Sequence, residues 1–298
     1  MTTVLILSGG ISSEREVSFL SGKAVAAALE SKGYAVVTHD PQDGTDNLPA
    51  ADVAFPALHG LGGEDGAIQA ALEAAKIPYV GSDVRASKLC FDKAAYKKAL
   101  QAANLSTADS EIVTLQSIWQ SPLVTKPFVL KPIDGGSSID TFIVRDVANA
   151  PKANIEASLQ KHPQMLLEAL IEGLEITVGV LDNMPLPAVE IIPPSEGEFD
   201  YENKYNGKTQ EICPPTHLDE ATHARAQELA LKAHQLTGCR DLSRTDMIVQ
   251  DNGEIVILET NTLPGMTDQS LYPKAAAAAG VPMADLMDRF VRAALARA

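Results

Sequence analysis

Two apolar runs, 242–250 (LSRTDMIVQ) and 254–261 (EIVILETN), flank the tripeptide Asp251-Asn252-Gly253. Asn-Gly is the strongest short signal for a two-residue β-hairpin turn, because both central residues of that turn need positive φ. With Asn252 and Gly253 as the turn, Asp251 faces Glu254, Asp246 faces Glu259 and Arg244 faces Asn261. Side chains alternate along a strand, so Arg244, Asp246, Glu259 and Asn261 share one face. Opposed Cβ atoms then lie roughly 4.5–5.5 Å apart, and two carboxylates at that separation repel unless a cation sits between them. Two carboxylates and one amide oxygen suit a hard cation such as Mg²⁺ shared with a substrate phosphate. Taken alone, such a face is also compatible with plain solvation, so the rest of the chain decides.

The first 80 residues alternate short apolar runs with helical patterns. Residues 4–7 (VLIL) read as a buried strand running into Gly9-Gly10. A helix begins near Glu14, with Val17, Leu20, Ala24, Ala27 and Ala28 as its apolar face and Gly33 at its C-terminal cap. Further strands are expected at 35–38, 54–58 and in IPYVG (77–81), with a helix at 66–75. Alternation of this kind implies a doubly wound parallel sheet, and the first boundary is placed near Ser82. Beyond it the pattern becomes α+β: a helix at 92–103, strands at 127–131, 141–145, 165–168 and 175–181, a long helix at 219–237 ending at Gly238, the hairpin, and a closing helix from Met283. Three domains are expected, at 1–82, 83–168 and 169–298.

Three glycine-rich loops follow predicted strands. Lys131-Pro132-Ile133-Asp134-Gly135-Gly136-Ser137-Ser138 frees its backbone so that N–H groups and hydroxyls can approach phosphate oxygens, and it is not a Walker A loop because no Gly-Lys-Ser/Thr follows. Gly9-Gly10-Ile11-Ser12-Ser13-Glu14 puts backbone donors and a carboxylate at a helix start, where Glu14 either complements the helix dipole or holds a substrate ammonium. His59-Gly60-Leu61-Gly62-Gly63-Glu64-Asp65-Gly66 lies at the carboxyl edge of the sheet, where α/β proteins bind ligands. A lone histidine is more often structural, and this polar glycine-rich setting turns His59 toward a ligand.

Charge narrows the partners. The chain has 24 basic and 39 acidic residues, a formal net charge of −15, which disfavours nonspecific nucleic-acid binding. An anionic substrate therefore has to meet locally placed lysines, arginines or metal ions. Cys90, Cys213 and Cys239 are far apart with no CxxC pair, as expected of a reducing cytoplasm and not of a structural zinc site. The N-terminus lacks the basic start and long apolar core of a signal peptide, and no run approaches the ~20 apolar residues of a membrane span.

Seven segments in order resemble the D-alanine–D-alanine ligases. They are GGISSEREVS (9–18), HGLGGEDG (59–66), SKLCFDK (87–93), KPIDGGSSID (131–140), EALIEGLEITVGVL (168–181), FDYENKY (199–205), and RTDM (244–247) with LETNTLPGMT (258–267) and Ser270-Leu271. The resemblance covers nearly the whole chain. It implies an ATP-grasp fold preceded by a doubly wound N-terminal domain, ATP as substrate, Mg²⁺ or Mn²⁺ at two positions per site, and a cytoplasmic homodimer serving peptidoglycan precursor synthesis. ATP would lie between the last two domains.

Residue by residue, the resemblance implies that Lys93, Lys131 and Ser138 hold ATP phosphates, Glu168 accepts from the adenine amino group, Leu170 or Ile171 serves the hinge, and Glu175 binds the ribose. Asp246, Glu259 and Asn261 would hold the metal. Glu14 would bind the first D-alanine ammonium and close the loop with Ser137 and Tyr205. His59, Lys204, Ser270 and Leu271 would bind substrate, and Arg244 with the Gly265 N–H would stabilise the tetrahedral oxyanion. Ile11, Ala169 and Asp140 depart from the family pattern, and Asp140 would repel phosphate if it pointed inward. Two other functions are weighed: a D-alanine–D-lactate ligase, against which the intact Lys204-Tyr205 pair stands, and a non-catalytic nucleotide-binding module, which would need lost lysines or metal ligands.

Overall fold

In the computed structural model, residues 1–136, 139–193 and 209–298 are described. The N-terminal sheet holds β1 (Thr3–Leu7), β2 (Ala35–His39) and β3 (Val53–Pro56), parallel and in the order β2-β1-β3. Val4 to Leu7 are completely buried, as in a central strand covered on both faces. Val4 and Ile6 pack on α1 (Arg15–Ser31) and on the chain's last helix, whereas Leu5 and Leu7 pack on α2 (Ala67–Ala75). The expected fourth strand is absent. Around Tyr79 only a single bridge to Ala54 forms, because Pro78 has no N–H to donate and the chain turns away at Gly81 (φ 97°).

The face assigned to α1 is also corrected. Of the expected residues only Ala28 is buried, with Ser18, Ser21, Gly22, Val25 and Leu29, while Val17, Leu20, Ala24 and Ala27 line a cavity. Polar burial is tolerated because each hydroxyl is bonded: Ser18 Oγ donates to the Ala57 carbonyl at 2.7 Å and accepts from the Gly9 N–H at 2.8 Å.

Helix α3 (Val84–Phe91), not foreseen in the sequence, leads through Asp92 into α4 (Lys93–Ala102). Asp92 caps α4 by accepting from the Ala95 N–H (2.9 Å), which makes Lys93 the first helical residue. A four-stranded antiparallel sheet follows, order β4-β7-β5-β6: β4 (Ser110–Val113), β5 (Phe128–Pro132), β6 (Phe142–Val144) and β7 (Met165–Ala169), packed on α5 (Lys152–Lys161) through Ile155 and Leu159.

The third sheet contains β8 (Leu174–Leu181), β9 (Met184–Pro185), β10 (Val189–Ile192), β11 (Gln210–Ile212), β12 (Leu242–Val249) and β13 (Ile255–Asn261). Its order is β11-β10-β8-β12-β13, with β9 on β8. Helix α6 (Glu220–Thr237) covers it with Ala226, Ala230 and Ala233, all fully buried, beside Tyr96 and Leu100 of α4. Helix α7 (Leu271–Ala278) precedes α8 (Met283–Leu295), whose Leu286, Met287, Phe290, Val291 and Ala294 form one apolar stripe. That stripe returns the chain's end to the N-terminal sheet, with Phe290 and Phe55 ring centroids 6.3 Å apart.

The hairpin register holds where it matters, for a reason the sequence reading did not contain. Gln250 pairs with Glu254, so the loop has three residues, with Gly253 left-handed (φ 79°), and not two. The ladder is therefore one residue out near the turn: Met247 faces Ile257. A bulge at Leu258 then restores the expected pairs, Asp246 with Glu259 and Arg244 with Asn261.

Candidate active site

On the hairpin face, Asp246 is the centre. Arg244 grips it with two parallel bonds, Nε to Oδ1 at 3.0 Å and Nη2 to Oδ2 at 2.9 Å. Asn261 Nδ2 donates to Oδ2 (3.0 Å), and from β8 the Thr177 hydroxyl donates to Oδ1 (2.5 Å). Burial works against the Arg244 charge, but the Asp246 carboxylate beside it more than compensates and raises its pKa. The cation that neutralises Asp246 in this structure is thus its own strand neighbour two residues away. The bulge puts Leu258 and Glu259 on the same side, and both line the cavity beyond.

That cavity, about 450 Å³, lies between the two antiparallel sheets. Its walls include Val129 and Lys131 of the central sheet, Glu175, Ile191 and Ile248 of the third, and the hinge 168–174 between them. Glu168, on β7, is buried and bridges two lysines: Lys131 Nζ is 2.6 Å from Oε2, and Lys97 Nζ is 2.5 Å from Oε1. Burial alone would raise the Glu168 carboxyl pKa; the two ammonium groups outweigh it and hold the pKa below the usual carboxylate value. Lys131 is therefore present at the cavity as expected, but paired to Glu168. Lys93 reaches across to the Gly135 carbonyl (2.6 Å), and burial lowers its pKa.

A second cavity, about 820 Å³, opens between α1, the 59–64 loop and the segment 260–274. Glu14 is buried at its wall, and its Oε2 lies so near Gly136 that a Cβ there would come within 2.7 Å. The absence of a side chain at Gly136 is what lets the phosphate-type loop meet Glu14. His59 Nδ1 faces the Leu263 carbonyl at 3.1 Å, so this nitrogen carries the proton, and Nε2 accepts from the Ser21 hydroxyl (3.0 Å). Both ring nitrogens are engaged within the protein, and burial lowers the ring's pKa. Glu64 accepts from the Gly60 N–H (2.8 Å); burial and the nearby Glu14 push its carboxyl up to about 8. At the far side, Ser270 immediately precedes α7 and its hydroxyl accepts from the Thr267 N–H (3.0 Å), Leu271 is the first residue of the helix, and Gly265 lies against the Ser270 hydroxyl. Lys274 of α7 pairs with Glu211 of β11 on the same wall.

The two cavities share a wall made by Lys93, Gly135, Gly136 and Glu259. Ser137, Ser138, Lys204 and Tyr205 lie outside the described residues. Leu170, Ile171 and Glu175 all line the first cavity, while Arg244, Asn261 and Gly265 line the second. Asp140 lines neither cavity, and its carboxylate accepts from His162 Nε2 at 2.9 Å. Sequence reasoning missed Lys97, Thr177 and Glu64. Lys97 had a signal, since it stands four residues after Lys93 and shares that helix face; Thr177 had none, because it reaches Asp246 from a strand 69 positions away.

Fold and site together define an ATP-grasp protein: two antiparallel sheets close on a lysine-bearing cavity, with a second, larger cavity sharing one of its walls. The comparisons narrow this. Models described as D-ala D-ala ligase N-terminus and D-ala D-ala ligase C-terminus match residues 37–82 and 98–292. A D-alanine–D-alanine ligase of Syntrophobacter fumaroxidans is 44% identical over 98% of this chain and 97% of its own length. Another, from Gluconobacter oxydans, is 41% identical over 99% of both. The solved D-alanine–D-alanine ligase of Bacillus anthracis complexed with ATP superposes with a TM-score of 0.83 at 30% identity, covering 100% of this chain and 98% of that one. The chain belongs to the D-alanine–D-alanine ligase family.

Proposed function

We propose that this chain joins two D-alanine molecules into D-alanyl-D-alanine with cleavage of ATP to ADP and phosphate, as a cytoplasmic homodimer supplying peptidoglycan precursors. The observation that carries the reading is the shared wall: a carboxylate bound in the larger cavity meets the terminal phosphate of a nucleotide in the smaller one at Lys93, Gly135, Gly136 and Glu259.

In the smaller cavity the adenine lies along the hinge, where Glu168 accepts from its amino group. The Leu170 N–H already donates to the Pro127 carbonyl (3.0 Å), so the hinge contact falls to Ile171. Glu175 takes the ribose hydroxyls, and Lys93, Lys131 and Ser138 take the phosphates. Glu14 holds the ammonium of the first D-alanine, whose carboxylate attacks the γ-phosphorus; an acyl phosphate forms and ADP leaves. The second D-alanine sets its carboxylate at the start of α7, on Ser270 and Leu271 with Lys204, where unpaired helix N–H groups favour an anion. Its amine attacks the acyl carbon, the oxyanion falls to Arg244 and the Gly265 N–H, and phosphate is expelled. Ser137 and Tyr205, with Glu14, close the loop and exclude the water that would hydrolyse the acyl phosphate. His59 contributes by holding α1 against the segment that carries Gly265.

Asp246, Glu259 and Asn261 offer only oxygen ligands, and Asn261 turns its amide nitrogen to Asp246, leaving its oxygen for a cation. Asp246 already accepts from four donors, so it fits a metal once Arg244 or Asn261 releases one oxygen. Mg²⁺ or Mn²⁺ held there, at two positions, would neutralise charge on the transferring phosphate. Among the described residues no cluster of three or more His, Cys, Asp or Glu is placed to hold a metal ion.

The test is ADP release with ATP, Mg²⁺ and D-alanine, against L-alanine and no amino acid. Release specific to D-alanine, with the dipeptide seen by mass spectrometry, is expected. Turnover only with D-lactate as acceptor would replace the dipeptide by a depsipeptide; ATP binding without any turnover would overturn the ligase reading.

A further inference from the structure

Lys97 has no assigned task, yet it is among the most deeply buried charges in the molecule. Its side chain is 3% exposed and it lines neither cavity. The ammonium contacts Glu168 Oε1 and donates to the Thr107 hydroxyl at 3.0 Å; that hydroxyl donates on to the Ile257 carbonyl of β13 (2.9 Å). Lys97 is thus tied to both sheets that form the nucleotide cavity, from the helix whose first residue is Lys93. Glu168 gives its other oxygen to Lys131, the lysine at the cavity wall.

Charge counting shows what the second lysine changes. A lone Lys131–Glu168 pair would be neutral, and a nucleotide drawing Lys131 to its phosphates would leave a buried carboxylate uncompensated, the costly way to break a buried pair. With Lys97 on the opposite oxygen the cluster carries one net positive charge. Lys131 can then turn to phosphate and leave behind a neutral Lys97–Glu168 pair. We propose that Lys97 is a positioning residue that never touches substrate and holds Glu168 so that Lys131 is released to the nucleotide phosphates. This rests on the reading that the smaller cavity takes ATP.

The experiment compares wild type with Lys97→Met, Lys97→Arg and Lys97→Met/Glu168→Gln, after thermal melts show which fold. Affinities for ATP and adenosine are measured by calorimetry and KM values by ADP release. In Lys97→Met the ATP KM is expected to rise about tenfold or more while the D-alanine KM stays within about twofold. The ratio of ATP to adenosine affinity should fall, since only the phosphate contact is impaired. Lys97→Arg should recover most of the loss; the double variant also alters the adenine acceptor, which ATP and adenosine feel alike, so its ATP-to-adenosine affinity ratio should return toward wild type. Equal losses for ATP and adenosine, or an unchanged ATP KM in folded Lys97→Met, would reduce Lys97 to a structural pin. If Lys97→Met does not fold, a double variant that folds with an ATP-to-adenosine affinity ratio still about tenfold below wild type overturns the proposal on its own. Wild type that fails to bind ATP would instead remove the nucleotide reading and this proposal with it.

Discussion

The hairpin face and the floor of the smaller cavity are both clusters of buried charge, but they are assembled in opposite ways. Arg244, Asp246, Glu259 and Asn261 come from one hairpin, so strand alternation alone puts them together. Lys97, Glu168 and Lys131 come from a helix and two strands, and they meet only when α4 packs on the third sheet and β7 pairs with β5. Local geometry makes the first cluster readable in advance; the second is a product of tertiary packing. The clusters also differ in balance. At the hairpin one arginine stands against two carboxylates, Asp246 and Glu259, and negative charge is left over, whereas on the cavity floor two ammonium groups share one carboxylate and leave positive charge to spare.

Arg244→Met breaks the first cluster most severely. It removes one of the two proposed oxyanion donors and the charge partner of Asp246, so kcat should fall by about 10²–10³-fold, together with a lower melting temperature. Steady-state ADP release and a thermal melt read both; a loss under about tenfold would mean that Arg244 is only a counter-ion.

Deleting Leu258 is a sharper and smaller test. It removes the bulge, after which Met247 still faces Ile257 and Asp246 still faces Glu259. The ATP KM should rise about three- to tenfold, from loss of one apolar wall residue, with the D-alanine KM unchanged. Loss of all activity in a folded deletion variant would show that the bulge sets the aim of Glu259 and not only of Leu258.

The smallest effect is on pH dependence. The Glu64 carboxyl is raised from 4.5 to about 8 in the folded chain. Between those values the folded state holds a proton that the unfolded state has lost, so stability falls as pH rises through this window and levels off above it. Glu64→Gln should flatten that slope, as measured by urea midpoints at pH 5 and 8. An identical slope in the variant would assign the pH dependence to other groups.

These contrasts also explain what was legible in the sequence. The hairpin face was right although its turn was wrong by one residue, because the Leu258 bulge compensated for a three-residue loop; no local propensity announces such a bulge. The apolar face read as Val17, Leu20, Ala24, Ala27 and Ala28 buries only Ala28, because small serines carry the packing on α1, bonded to Gly9, Ala57 and His59. IPYVG had a strand's composition but not its hydrogen-bonding capacity. Asp140 was legible as an unusual residue, but its direction was not, since His162 lies 22 positions away.

The proposed reaction puts the attack of a D-alanine carboxylate on ATP where the two cavities meet. D-alanine labelled with ¹⁸O in its carboxylate, turned over with ATP and Mg²⁺, tests it directly through mass analysis of the released phosphate. The account predicts one labelled oxygen per phosphate, carried there by the acyl phosphate. Unlabelled phosphate alongside dipeptide would contradict it, because the carboxylate would then never have bonded to phosphorus.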